Sequence, residues 1–255
     1  MSIEIRQFPC LSDNYGFLVR DTETGAVATI DTPELDAIEA ALDDAGWRLT
    51  HILNTHHHPD HVGANLALKE RWGCAIVGPR GEASKIPGIE REVGDGDVVA
   101  LGNAKARVYD TPGHTLGHIV YHFEADRAAF VGDTIFALGC GRLFEGTADQ
   151  MWASLSKIAA WPEDTTIYCA HEYTQANARF CLSLEPDNAA LKARAAAIDE
   201  ARAAGRPTVP TTLRDELATS PFLRAPDPAL RAALGMADAS DAAVFAEVRA
   251  RKDRF

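Results

Sequence analysis

Apolar and polar positions divide the chain into two regions of different character. Up to about residue 173 the apolar positions come in short runs, several alternating, separated by Gly-, Pro- and Asp-rich turns. Side chains that alternate with period two predict strands. On that basis strands are expected at 3–8, 15–20, 26–31, 49–54, 74–78, 106–110, 118–124, 127–133 and 165–169. Helical spacing appears at 34–45, 62–72 and 149–160. Beyond residue 173 the pattern is helical. "NAALKARAAAIDEARAAG" is rich in strong helix formers and ends at Gly205. "RPTVPTTLRDELATSPFLRAPDP" reads as a proline-punctuated connection with at least one helical turn. "DAAVFAEVRARKDRF" closes the chain as an amphipathic helix. The expected organisation is a mixed α/β domain over 1–173 and a helical domain over 174–255.

Composition narrows the function classes. The 255 residues carry 25 Lys and Arg against 37 Asp and Glu, a formal net charge of −12. Nucleic-acid surfaces need dense basic residues to neutralise phosphate, so a nucleic-acid partner is not expected. No apolar run approaches the roughly 18 residues of a membrane span. The start "MSIEIRQFPC" has no basic stretch followed by an apolar one, so no secretory signal is expected. Five scattered cysteines without a CxxC fit free thiols in a reducing compartment. A cytoplasmic location is expected on these two grounds.

The densest chemistry is "THHHPDH" at 55–61, between an expected strand and an expected helix. In an extended segment His56 and His58 point one way and His57 the other. Asp60 and His61 fall at the start of the helix and turn elsewhere. Pro59 fixes its own φ and pushes His58 toward an extended conformation. Two pairs on one loop point to two adjacent metals, each needing further ligands. Three candidates follow other strands: His114 in "DTPGHTLGH", Asp133 in "FVGDTIF" and His171 in "IYCAHEYT". Imidazole and carboxylate donors suit zinc, iron or manganese, and the lack of thiolates argues against a structural zinc knot. His57 is expected not to be a ligand. His51, His118 and His122 are expected to be structural or at the surface.

The set HxHxDH, GHT, GDT and HEY, in that order, resembles the metallo-β-lactamase superfamily. Within it the chain resembles glyoxalase II, the hydroxyacylglutathione hydrolases, through "PCLSDNYGFLV", "THHHPDHVGAN", "TPGHTLGHI", "GDTIFALGCGRLFEGTADQM", "CAHEYT" and the terminal "RARKDRF". The resemblance covers nearly the whole chain. It implies a four-layer αββα sandwich followed by a helical domain, and a centre of two divalent metal ions, with zinc first and iron or manganese as alternatives. It implies that His56, His58 and His114 hold one metal, that Asp60, His61 and His171 hold the other, and that Asp133 bridges them. Asp133 and Asp60 are then the expected catalytic residues, the second orienting a hydroxide shared by the metals. Water held by two metals ionises near neutral pH and can attack a thioester, whose thiolate leaves easily.

The implied substrate is an S-(2-hydroxyacyl)glutathione, S-D-lactoylglutathione first. The implied recognition residues are Arg142, Phe144, Tyr173, Arg249 and Lys252. Arg142 stands where some members have Lys, and Phe144 where some have Tyr, which removes a phenolic hydrogen bond. A basic tail on an acidic protein makes sense as a clamp for glutathione carboxylates. The chain is expected to be a monomer. Two rival readings are a one-iron persulfide dioxygenase on the same scaffold and a non-enzymatic metal-storing or nucleic-acid-binding module. The first is disfavoured by the long helical C-terminal part, the second by the acidic charge and the spread of ligands along the chain.

Overall fold

The structure is a computed structural model that describes residues 2–255. It divides into two units. One runs to Asp110 and takes in Leu116–Gly132; the other comprises Thr111–Thr115 and Asp133–Phe255.

The first unit holds a six-stranded sheet: β1 (Ile3–Cys10), β2 (Asn14–Asp21), β3 (Val27–Ile30), β4 (His51–Leu53), β5 (Ala75–Pro79) and β6 (Arg91–Val93), in that spatial order. β1 to β3 are antiparallel, while β3 to β6 run parallel. Parallel neighbours need crossovers. Helix α1 (Leu35–Ala45) supplies one between β3 and β4. Between β4 and β5 lie α2 (Pro59–Val62) and α3 (Asn65–Trp72). Ile38 and Leu42 of α1, and Leu68 of α3, pack with Leu18, Val27, Ile52 and Ile76 of the sheet into one core. Gly46 ends α1 at φ 64, where its N–H reaches the Leu42 and Asp43 carbonyls.

A second set of strands in this unit is an antiparallel meander: β7 (Val98–Leu101), β8 (Ala104–Asp110), β9 (Ile119–Phe123) and β10 (Ala128–Gly132). β7 and β8 alternate buried and exposed positions, and β9 and β10 are buried throughout. Phe17 of β2 meets Phe130 of β10 edge-on at 5.6 Å, and the Tyr121 hydroxyl donates to the Asn54 carbonyl at 2.9 Å. Those contacts tie the two strand sets together through an aromatic core.

In the second unit, β11 (Ile135–Phe136) and β12 (Gly139–Cys140) form a short hairpin. Then come α4 (Ala148–Ala159), β13 (Thr166–Cys169), α5 (Thr174–Leu184) and α6 (Ala189–Ala203). The chain ends with β14 (Thr211–Thr212), which pairs with β13, and with α7 (Leu213–Thr219), α8 (Pro228–Leu234) and α9 (Asp241–Arg254). A capping box closes the start of α4: Gln150 N–H donates to the Thr147 hydroxyl, and Thr147 N–H donates to the Gln150 side chain. Phe180, Phe222 and Phe245 are fully buried and form the centre of the helical core.

Every strand expected from the pattern is present, with ends shifted by up to two residues. The single helix expected at 62–72 is instead α2 and α3. Ala64 N–H donates to the Thr32 carbonyl at 3.1 Å, and Thr32 N–H donates to the His61 carbonyl at 2.9 Å. These two bonds draw the chain between α2 and α3 toward Thr32. Helix α5 opens the helical region expected from residue 174, but its own period is obscure because its buried face carries Thr174 and Asn177 beside Ala178, Phe180 and Cys181. Polar residues on the inner face hide the helical period. Strands β6, β7, β11, β12 and β14 have two to four residues each, too few for a period to show.

His122 of β9 is buried, and that burial pushes its imidazole down to about 4. The unfolded chain titrates this group near 6.5. Between those values the unfolded state binds more protons, so stability falls as pH drops from about 6.5 to about 4. His122→Phe is expected to remove part of this acid sensitivity. The check is the denaturant midpoint at pH 7 and pH 4.5. An equal acid-induced drop in both proteins would discard this assignment.

Candidate metal centre

In the first unit the donors surround the start of α2. His58 is the residue before the helix, at φ −61 and ψ 148, and Pro59 occupies the first turn. The extended conformation expected ahead of Pro59 is therefore present. His56 is fully buried, and its Nε2 lies 3.1 Å from Nδ1 of His58. Asp60 Oδ2 lies 3.4 Å from Nε2 of His61 and accepts from the Asn14 amide at 3.1 Å. The His56 and His61 rings are 4.0 Å apart between centroids. The two pairs thus adjoin each other.

His57 turns to another partner. Both its N–H and its Nδ1 meet Glu82 Oε2, at 2.9 and 2.7 Å. Glu82 is buried and also accepts from Gly117 N–H at 2.9 Å. His118 is buried and stacks on His56 with centroids 4.8 Å apart.

A residue absent from the sequence reading orients this half. Asp31 follows β3 at φ 56, in the left-handed region. Its Oδ1 accepts from Thr55 N–H at 2.7 Å, and its Oδ2 accepts from the Thr55 hydroxyl at 2.8 Å. The same Oδ2 lies 2.8 Å from Nδ1 of His61. A carboxylate can only accept, so neutral His61 carries its proton on Nδ1 and presents a lone pair at Nε2. The same logic reaches His56. The Thr55 hydroxyl spends its proton on Asp31 and so accepts from His56 Nδ1, 3.0 Å away, leaving Nε2 as the donor atom. No pattern marks Asp31 in the sequence; only its place at a strand end hinted at it.

In the second unit Asp133 is buried and directs one oxygen to each of two imidazoles. Oδ2 lies 3.3 Å from Nε2 of His114, and Oδ1 lies 3.4 Å from Nε2 of His171. His114 Nδ1 is 2.8 Å from the Arg142 carbonyl, which fixes the proton there and leaves Nε2 as the donor. Gly141 makes this approach possible. A Cβ at that position would lie 2.0 Å from the Asp133 carbonyl oxygen and 3.0 Å from His114 Nδ1. His171 is stacked on Tyr173, centroids 4.7 Å apart and rings 2° from parallel.

Of the residues expected to recognise substrate, Arg142 and Phe144 are exposed, and the Phe144 ring meets His114 edge-on at 5.3 Å. Tyr173 is partly exposed beside His171. Lys252 Nζ lies over Phe180 and Phe255, 5.2 and 5.5 Å from the ring centres. Burial, and then Arg249, push its ammonium below the usual lysine range. Arg249 is buried. It donates to the Cys140 carbonyl at 2.9 Å and pairs with Asp253 at 2.8 Å. Burial holds the Cys140 thiol up at about 11, so it offers no thiolate nucleophile.

The donor set, imidazole nitrogens with carboxylates and no thiolate, fits divalent metal. No helix among the described residues is long and apolar enough to cross a membrane.

Comparison with known proteins agrees with this chemistry. Residues 23–171 match the metallo-β-lactamase superfamily, and residues 172–255 match the hydroxyacylglutathione hydrolase C-terminus. The hydroxyacylglutathione hydrolase of Maricaulis maris is 59% identical over 98% of this chain and 98% of its own length. That of Rhizobium meliloti is 58% identical, over 100% of this chain and 99% of its own. The crystal structure of ETHE1 from Myxococcus xanthus superposes with a TM-score of 0.69 at 27% identity, covering 97% of this chain and 90% of that one. The fold is that of the metallo-β-lactamases, with a helical C-terminal region. Full-length likeness to these relatives, together with both family matches, places the chain in the hydroxyacylglutathione hydrolase family of the metallo-β-lactamase superfamily.

Proposed function

We propose that the protein hydrolyses S-(2-hydroxyacyl)glutathione thioesters, S-D-lactoylglutathione first among them, to a 2-hydroxy acid and glutathione. The observation that carries the reading is the Asp133 carboxylate, with one oxygen toward each of two imidazoles. This is the arrangement a bridge between two ions requires. The identity to hydroxyacylglutathione hydrolases supplies the substrate class.

In this reading the two sets of donors act together. His56, His58 and His114 would hold one ion, Asp60, His61 and His171 would hold the other, and Asp133 would serve both. The donor pairs within each unit and the identity to hydroxyacylglutathione hydrolases support it. Zinc is proposed at both positions, with residues 1–173 as the catalytic domain and 174–255 as the substrate-binding domain. When bound, the metals supply a water acidic enough to ionise near neutral pH and a positive charge for the developing oxyanion.

The chain's own residues do the rest. Asp31, Thr55 and the Arg142 carbonyl hold the Nδ1 protons of His61, His56 and His114, which selects the tautomer with the lone pair on Nε2. Asp60, held by Asn14, is placed to orient the attacking water. The departing thiolate is a weak enough base to leave without a dedicated acid. Arg142 and Lys252 supply positive charge for the glutathione carboxylates, Tyr173 a hydroxyl, and Phe144 a ring face only, whereas the expected role of Arg249 in that clamp does not suit a guanidinium buried on the Cys140 carbonyl and Asp253.

A one-iron dioxygenase is the less supported alternative, because the helical region matches the hydroxyacylglutathione hydrolase C-terminus over its full extent. Oxygen uptake with glutathione persulfide would favour it over hydrolysis.

Lys252→Ala is expected to raise KM for the thioester about tenfold with kcat nearly unchanged, since the ammonium meets a part of the substrate that does not react. Steady-state kinetics check this, and an unchanged KM removes Lys252 from the recognition site.

A further inference from the structure

Glu216 of α7 is fully buried and stands outside the catalytic chemistry proposed above. Its Oε2 accepts from Leu138 N–H at 2.8 Å. Its Oε1 accepts from the Thr211 hydroxyl at 2.8 Å and pairs with Arg194. Leu138 lies at the tip of the β11–β12 hairpin with φ 58, a conformation a non-glycine residue keeps only where its surroundings hold it. Two other side chains from the C-terminal helices grip the same tip, and a third holds the return strand. Asn177 donates to the Ala137 carbonyl at 3.1 Å. The Cys181 thiol reaches the Leu138 carbonyl at 3.3 Å. Arg249 donates to the Cys140 carbonyl.

This hairpin has one evident consequence for the metal donors. It begins two residues after Asp133 and returns the chain at Gly141 and Arg142. The Arg142 carbonyl then fixes the proton of His114, and Gly141 packs directly on the Asp133 backbone. We propose that Glu216, with Asn177 as a second anchor, is a positioning residue for the metal centre: by holding the 137–140 turn it sets the orientation of His114 and Asp133. The helical C-terminal region then serves the metal site as well as the substrate. The inference rests on the reading of His114 and Asp133 as metal ligands.

Glu216→Gln tests it. An amide keeps the shape, but its NH2 must face either Leu138 N–H or the Arg194 guanidinium, donor against donor. Glu185→Gln is the control. It breaks a similar buried pair, Glu185 with Arg224 at 2.7 Å, that makes no contact with the turn. Zinc affinity is measured by chelator competition on folded protein, with hydrogen exchange at Leu138 N–H in parallel. The expected result is a 10- to 100-fold loss of zinc affinity in Glu216→Gln and faster exchange at Leu138, with Glu185→Gln unchanged. Asn177→Ala is expected to move zinc affinity the same way by a smaller factor, and decides the matter if Glu216→Gln does not fold. Equal zinc affinity in Glu216→Gln, Asn177→Ala and Glu185→Gln overturns the positioning role. Wild-type protein that binds zinc yet leaves the thioester intact overturns the proposed function, while the zinc comparison still decides on Glu216.

Discussion

Replacing Asp133 by alanine is expected to leave a folded protein that retains less than one metal per chain and loses thioesterase activity by about 10³-fold or more. The carboxylate is buried, with His114 on one oxygen and His171 on the other. No neighbouring side chain can take over both contacts from the same position. Each imidazole remains oriented by its own partner, so isolated ligands survive while the link between them is lost. Folding should tolerate the change, because the cost of burying the carboxylate offsets much of what its two imidazole contacts return. Metal analysis with circular dichroism checks both halves of the expectation. Normal metal content in Asp133→Ala would remove the bridge from the mechanism.

The second large effect is expected at a residue that holds no metal. Asp31→Ala should cost about 2–4 kcal/mol of stability and about 10- to 100-fold in metal affinity. Its carboxylate accepts from the backbone and hydroxyl of Thr55 and faces His61 Nδ1. Alanine leaves these buried donors without an acceptor, and it leaves a non-glycine residue at φ 56 held only by its backbone bonds to Leu53 and Thr29. Losing the Asp31 contact also frees His61 to carry its proton on the donor nitrogen. Asp31→Asn should recover part of both losses, since asparagine tolerates the left-handed region and keeps one acceptor. Denaturant unfolding and chelator competition measure the two effects. A variant with wild-type stability and affinity would show that Asp31 does not orient the donors.

These two residues also show what the sequence makes legible. Asp133, His114 and His171 stand out because each is a strong metal donor directly after an apolar strand, in a chain that already holds HxHxDH. Asp31 occupies an equivalent place after β3, but a lone Asp before Thr-Pro reads equally well as a turn. Its importance depends on Thr55 and His61, 24 and 30 residues away, which only the fold brings to it. Glu216 is hidden for the same reason. In "LRDELAT" it looks like a solvent-facing helix residue, yet it is fully buried on Arg194 and Leu138. Arg249 illustrates a third case. Its position in the basic tail suggested an exposed clamp, and the structure places its guanidinium inside, on the Cys140 carbonyl and Asp253. Sequence pattern reports residue chemistry and local period, whereas a buried polar contact is decided by which segments the fold packs together.

The most direct test is a zinc titration of the metal-free chain with hydrolysis of S-D-lactoylglutathione as the readout. Activity is expected to be absent without metal and to rise until two zinc ions per chain have been added, then level off. Full hydrolysis by the metal-free chain, or none at two zinc ions per chain, would contradict a binuclear thioester hydrolase.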